Sequence, residues 1–254
     1  MIGVASGMAN QGMIPFVYTI GIFLSVRALE FIRNDVCLQN MNVKIVGTGS
    51  GMAYSDLGST HHATEDIGGM RSYPNLTIIT PSSPLEVRKA VAASYEMDGP
   101  VYMRLGTNRE PELYREEYEF KIGKAVTMKE GNDLTIIGMG RILGDVLLVA
   151  ERLEKRGIHV RVVNMHTIRP IDTDAIVRAI EETGRIMSVE DHNVTGGLGS
   201  AVSEIIAEHG KGVRFRRLGL NGFSHGYGSY KQMKEMNGID EDSIFKCALE
   251  VLGE

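Results

Sequence analysis

Short apolar runs alternate along the chain with longer stretches in which apolar residues recur every three or four positions. This is the pattern of strands buried on both faces and of the helices that cover them. Candidate strands in the first part are residues 14–18, 43–47, 76–80 and 100–105, and a helical pattern over 21–39 separates the first two. A second helix is marked by Ser83, Pro84 and Glu86, a capping box in which Ser83 accepts from the amide three residues on and Glu86 reaches back. Pro84 suits the first helical position, and the helix should run to about residue 97. Residues 107–120, TNREPELYREEYEF, are highly charged and carry no apolar stripe, as expected of an exposed connection between domains. Beyond it the alternation restarts, with strands at 134–138, 159–164, 186–190 and 213–218 and helices at 144–156, 172–182, 198–209 and 240–252. Asp172 is placed to cap the second of those helices. The expected fold is therefore α/β in two domains, each a mostly parallel sheet with helices on both faces. The first domain covers 1–106, the connection 107–121 and the second domain 122–254.

Composition narrows the class. With 254 residues, 43% hydrophobic and 23% charged, the chain is long enough for two globular domains. Its 27 basic and 32 acidic residues leave a net charge of -5, which invites neither nucleic acid nor an anionic membrane. Cys37 and Cys247 are far apart and lack zinc-site spacing, so reduced thiols in a cytoplasmic protein are the expectation. Residues 1–26 contain no Asp, Glu, Lys or Arg. No basic residue precedes Arg27, as a secretory signal requires, and the unbroken run 13–26 is shorter than the about 20 residues of a membrane-spanning helix. An uncharged segment of this kind points to burial, in the core or in an interface.

Three glycine-rich strings bear on binding. Gly138, Gly140 and Gly144 follow a strand and precede a helix, but the spacing is one residue too long for a dinucleotide loop, which leaves a tight turn. Gly196, Gly197 and Gly199 either present amides to an anion at a helix N-terminus or allow that helix to pack closely. Gly47, Gly49 and Gly51 let the backbone approach something closely after a strand. Glu190, Asp191 and His192 are read as a polar strand end.

Several segments in order resemble the C-terminal section of transketolases, especially those divided between two genes. They are IGVASGMANQG (2–12), PFVYTIGIFLSVRALEFIRNDV (15–36), GSTHHATEDIGGMRSYPNLTIITPSSPLEVRKAV (58–91), DGPVYMRLG (98–106) and VEDHNVTGGLGSAVSEI (189–205). The most specific combination is Thr60-His61 followed by Glu65-Asp66 and, further on, DGPVYMR. Deoxyxylulose-phosphate synthase and the β subunits of 2-oxo-acid dehydrogenases share this plan. The resemblance implies a pyrimidine-binding domain over 1–106 and a transketolase C-terminal domain over 122–254, the latter contributing mainly to dimer contacts. It implies a transferase subunit that moves a two-carbon ketol unit from a ketose or ketose phosphate to an aldose, and that works only when joined to a partner. The cofactor implied is thiamine diphosphate, its diphosphate and a divalent metal (magnesium or calcium) held by an N-terminal, diphosphate-binding subunit. The implied assembly is a homodimer or heterotetramer with sites at the interfaces.

Residue by residue, Phe23 matches the aromatic that stacks on the cofactor pyrimidine, and Ile20 lines the same pocket. His61 matches the histidine facing the reacting carbons, and His62 is better suited to capping the next helix. Arg104 matches an arginine that binds substrate phosphate. In the family an activating glutamate lies in a Glu-x-x-Met pattern whose methionine aligns with Met1, three positions before the first residue here, and neither Glu30 nor Glu65 takes its place. Two explanations follow: the sequence starts at an internal methionine of a longer chain, or it is a shortened, non-catalytic assembly or regulatory relative. The uncharged N-terminal segment favours the first. Leu57 and Gly49 stand where sugar-using relatives carry an aspartate and a histidine, which points away from an ordinary ketose phosphate toward a modified sugar or a 2-oxo acid.

Overall fold

The computed structural model describes residues 1–107, 110–114 and 116–254. In chain order the first part consists of α1 (Ile2–Asn10), β1 (Phe16–Ile20), α2 (Gly21–Arg27), α3 (Leu29–Phe31), β2 (Lys44–Thr48), α4 (Asp66–Met70), β3 (Thr77–Ile79), α5 (Pro84–Glu96) and β4 (Val101–Arg104). The second consists of β5 (Val126–Lys129), β6 (Leu134–Gly138), α6 (Leu143–Glu154), β7 (Val160–Asn164), β8 (Thr167–Arg169), α7 (Thr173–Glu182), β9 (Arg185–Asn193), α8 (Leu198–His209), β10 (Arg214–Leu220), α9 (Tyr230–Met236) and α10 (Glu241–Leu252).

The strands form two sheets of five, in the orders β1-β2-β4-β3-β8 and β10-β9-β6-β7-β5. Within the first, β1, β2, β4 and β3 run parallel, and within the second only β5 is antiparallel to its neighbour. The parallel strands are buried on both faces, as helix-covered strands must be: every residue of β2, β4, β6 and β7 is buried. The first sheet borrows its fifth strand, β8, from beyond the connection, where it pairs antiparallel with β3. The core follows suit, because Ile78 and Tyr102 pack in one cluster with Ile137, Met165 and Ile168. Asn108, Arg109 and Arg115 of the expected connection lie outside the described residues.

Two expectations are corrected here and a third is narrowed. The helix expected over 21–39 breaks at Ala28 and ends in a π-helical turn, Ile32–Cys37. The Tyr73 hydroxyl donates to the Leu29 carbonyl and the Asn75 amide to that of Cys37, so neighbouring side chains take up carbonyls at the irregular turns. Ser83 does cap α5, accepting from the Glu86 amide, but Glu86 does not reach back to it. Its carboxylate instead accepts from the Ser82 amide, the Tyr114 and Tyr118 hydroxyls and the Asn164 side chain. The uncharged N-terminal segment is not deep in the core of this chain. Ile2, Ala5 and Ser6 are buried, but Met1, Val4, Met8 and Met13 are exposed.

Candidate active site

Strand β1 is an edge of the first sheet, and two depressions flank its carboxyl end. The carboxyl ends of parallel strands are where open α/β sheets present ligands, because the loops there diverge and leave a crevice. The first depression, about 310 Å³, is apolar and lined by Thr19, Phe23, Leu24, Arg27, Phe31 and the N-terminal residues of α1. The second, about 720 Å³, is more polar, with Tyr18, Thr48, Tyr54, Ser83, Arg88 and Glu110 in its walls.

Phe23 stands in α2, immediately after β1, and is 43% exposed. Its ring meets that of His61 edge-on, with centroids 5.0 Å apart and planes at 64°. The two residues expected from the sequence to serve cofactor and substrate are thus in contact. His61 closes a single 3-10 turn, Ser59–His61, and its Nδ1 lies 3.1 Å from the Thr60 hydroxyl. The segment after it is pinned by backbone bonds between Ala63 and Gly51 of 2.9 and 3.0 Å. Ile20, the last residue of β1, is half-buried and is not among the residues lining the apolar depression. Among the described residues no carboxylate lines that depression, and Glu30 and Glu65 both lie outside it.

Arg104 lies elsewhere. Its side chain is fully buried, with Nε on Asp66, Nη1 3.1 Å from Asp191 Oδ1, and Nη2 on the carbonyls of Ala63 and Asp191. These partners occupy the guanidinium fork and hold the arginine between the two sheets, away from either depression. Burial alone lowers its basicity, but Asp66 and Asp191 more than reverse that, so it stays charged. Tyr102 donates to Asp66 as well, at 2.6 Å.

The polar strand end is likewise internal. Glu190, Asp191 and His192 are all fully buried. Glu190 accepts from the amides of Leu198 and Gly199 at 2.7 and 2.8 Å, so the N-terminus of α8 is filled by the chain's own carboxyl group. Burial pushes the Glu190 carboxyl up to about 8 against those two amides. His192 uses Nδ1 toward the Asn193 carbonyl at 2.7 Å and Nε2 toward the Gly68 amide at 3.4 Å, one donor and one acceptor, which is the neutral imidazole. Burial accordingly pushes it down to about 4. His62 caps no helix: it is buried and neither ring nitrogen has a partner among the described residues.

The glycines after β2 have definite neighbours. Gly51, at φ 56°, would place a Cβ 2.2 Å from Asp191 Oδ2, and Gly49, at φ 77°, would place one 2.1 Å from the Tyr54 ring. Gly140 sits in the tight turn expected of it, at φ 60°. Tyr54 and the Asp66/Asp191 pair escaped the sequence reading. The only local signal for the pair was an arginine at the end of an otherwise apolar strand, since its partners lie far along the chain.

Among the described residues, no group of three or more His, Cys, Asp or Glu could hold a metal ion. No helix there is long and apolar enough to cross a membrane. Comparison with known proteins gives consistent matches. Residues 1–110 match the transketolase pyrimidine binding domain and residues 123–244 the transketolase C-terminal domain. The chain is 40% identical over 250 residues to one of the subunits of the apulose-4-phosphate transketolase of Actinobacillus succinogenes, covering 98% of this chain and 80% of that one. It is 36% identical over 251 residues to the 6-deoxy-6-sulfo-D-fructose transketolase subunit SqwH of a Clostridium species, covering 99% and 78%. Among solved structures, a split-gene transketolase described as an inactive beta4 tetramer superposes with a TM-score of 0.89 at 35% identity, over 99% of this chain and 80% of that one.

Proposed function

The chain belongs to the transketolase family, and from that premise we propose how it serves as the pyrimidine-binding and C-terminal subunit of a divided enzyme. It is a transferase subunit of the thiamine-dependent, ketol-transferring kind. The observation that carries the site assignment is the exposed Phe23 ring, held edge-on by His61 over an apolar depression at the end of β1.

The depression fits a flat aminopyrimidine. Phe23 offers a partly exposed aromatic ring, Leu24 and Phe31 supply apolar walls, and Thr19 stands at the strand end. Thiamine diphosphate, when bound, supplies an electron sink for carbanion chemistry at the substrate carbonyl. The chain's own residues bind, orient and shield. Phe23 fixes the plane of the ring. His61, with Nδ1 near Thr60, leaves Nε2 to donate to or accept a proton from a substrate oxygen. The N-terminal diphosphate-binding subunit covers the site and holds the divalent metal, magnesium or calcium. That reading is supported by the apolar side chains left exposed on α1, β1 and the following helices: Val4, Met8, Tyr18, Phe23, Val26 and Phe31. Two copies of this chain and two of that subunit, in a symmetric assembly, would bury them. The donor is a modified ketose, consistent with Leu57 and Gly49 at positions where sugar-using relatives carry polar side chains.

Calorimetric titration of thiamine diphosphate into this chain in a form that carries the family's Glu-x-x-Met glutamate, into the diphosphate-binding subunit of the same source, and into their mixture tests the proposal. Saturable binding is expected in the mixture and not in this chain alone. Binding that is unchanged by Phe23→Ala in the mixture counts against the assigned pocket.

A further inference from the structure

His61 owes its place to a short turn, and that turn is tied to the other half of the chain. The edge contact with the Phe23 ring is not a directional bond, and the Thr60 hydroxyl near Nδ1 belongs to the adjacent residue and moves with the same backbone. The position of the imidazole is therefore set by the 3-10 turn Ser59–His61, a single turn entered through Gly58 at φ 78°. On its carboxyl side the turn is fixed by the backbone bonds between Ala63 and Gly51. On its amino side Asp56 and Leu57 are exposed, and the Ser59 hydroxyl reaches out of the first half of the chain, donating to the carbonyl of Ser224.

Ser224 is itself held. It is the one buried residue of the stretch 221–227, which otherwise lies exposed between β10 and α9. Its hydroxyl accepts from the Asn237 side-chain amide at 2.8 Å, and the same amide donates to the Met233 carbonyl at 2.7 Å. Met233 is fully buried in the core of the second half. A continuous path of bonds thus runs from that core through Asn237 and Ser224 to Ser59, two positions before His61. Two more contacts follow the same seam. The Gly228 amide donates to the Ser55 carbonyl at 3.2 Å, and a Cβ on Gly58 would lie 3.3 Å from the Tyr227 ring.

We propose that Ser59 is a positioning residue for His61, anchored by the Ser224 carbonyl, so that the second half of the chain sets where the imidazole meets the substrate. The inference rests on the role given to His61 above. A group that transfers protons has to be held to a fraction of an ångström, and a displacement of about 1 Å lowers the rate by up to about 10²-fold. Cofactor binding draws on Phe23 and the apolar depression, not on this path of bonds.

The subunit, in a form that carries the family's Glu-x-x-Met glutamate, is assayed with its diphosphate-binding partner, thiamine diphosphate and hydroxypyruvate. Ser59→Ala removes the hydroxyl and Ser59→Thr keeps it. The expected result is a fall in kcat of about 10-fold in Ser59→Ala, with cofactor affinity nearly unchanged and the rate restored in Ser59→Thr. Combined with His61→Ala, Ser59→Ala should add no further loss, because it acts only through the imidazole. In the subunit alone, the His61 Cε1 proton resonance, assigned by its absence from His61→Ala, should shift in Ser59→Ala and return in Ser59→Thr. An unmoved resonance, an equal fall in cofactor affinity and kcat, or a further loss in the His61→Ala background overturns the inference. So does an unchanged kcat in Ser59→Ala where His61→Ala lowers it, and that outcome leaves the ketol-transfer reading in place. Absence of turnover by the unsubstituted pair removes the ketol-transfer reading and this inference with it.

Discussion

Arg104 and Asp191 form an ion pair that solvent does not reach, with Nη1 3.1 Å from Oδ1, although Arg104 ends β4 of the first sheet and Asp191 lies in β9 of the second. Asp66 on α4 completes the cluster from the other side. Such a cluster is not an efficient source of stability, since desolvation offsets most of the Coulombic attraction. Its effect is to join the two halves in one geometry, because any relative displacement leaves a buried charge without its partner.

Arg104→Gln should therefore act on the whole chain rather than on a binding site. Two buried carboxylates lose their counter-charge, and the expected loss is about 3–5 kcal/mol of unfolding free energy, read from urea denaturation. Lys211→Gln, which breaks an exposed pair with Glu181, should leave the midpoint nearly unchanged. An Arg104 variant as stable as its parent would show that the cluster does not hold the sheets together.

The neighbouring titratable groups predict opposite pH slopes. His192 has its folded value at about 4 against an ordinary 6.5, so the unfolded chain takes up the proton first and stability is lost as pH falls through that window. Glu190 has its folded value at about 8 against 4.5, so the folded chain keeps the proton and stability is lost as pH rises through that window. Glu190→Gln should leave a stability that rises between about pH 4 and 6.5 and then levels. His192→Gln should leave one that falls steadily between about pH 4.5 and 8. Urea denaturation across this range checks both, and slopes of the same sign in the two variants contradict the assignment.

The Glu86 carboxylate anchors the connection. Tyr114 and Tyr118 both donate to its Oε1, at 2.7 and 2.6 Å, beside Asn164 from the second half. Tyr118→Phe should destabilise the fold by about 1–3 kcal/mol and speed proteolytic cleavage within residues 110–121. Cleavage at the parent rate would mean that the connection is held by something else.

Phe23 and His61 should separate binding from turnover. In the mixture with the diphosphate-binding subunit, Phe23→Ala should weaken thiamine diphosphate binding about 10-fold through loss of the ring contact. His61→Ala should lower kcat by about 10²–10⁴ with a smaller effect on cofactor affinity. Cofactor calorimetry paired with steady-state rates reads both, and the reverse pattern would exchange the two roles.

Much of this architecture could be read from one sequence because parallel strands buried on both faces leave nearly continuous apolar runs. Residues 43–47 and 134–138 overlap β2 and β6 for that reason. Asp172 caps α7 as its position predicts, accepting from the Ala175 amide. What stayed hidden depends on partners distant along the chain. Nothing in residues 21–39 marks the break at Ala28, since no glycine or proline lies between Ile22 and Gln39. Glu86 looks like a local cap because the tyrosines that claim it lie beyond β4. Strand β8 is three residues long, and only its docking on β3 makes it a strand. At the candidate site, the resemblance pointed to Phe23 and His61, which the fold brings into contact, whereas Arg104 looked like a ligand-binding arginine until Asp66 and Asp191 were seen beside it.

The most direct test of the central claim is ketol transfer from hydroxypyruvate to glyceraldehyde 3-phosphate, measured with thiamine diphosphate and magnesium for this subunit in a form that carries the family's Glu-x-x-Met glutamate, for the diphosphate-binding subunit alone and for the two together. The account predicts turnover in the mixture only, lost on His61→Ala. Turnover by this chain alone, or a stable complex of the two subunits that binds the cofactor and transfers nothing, would contradict it.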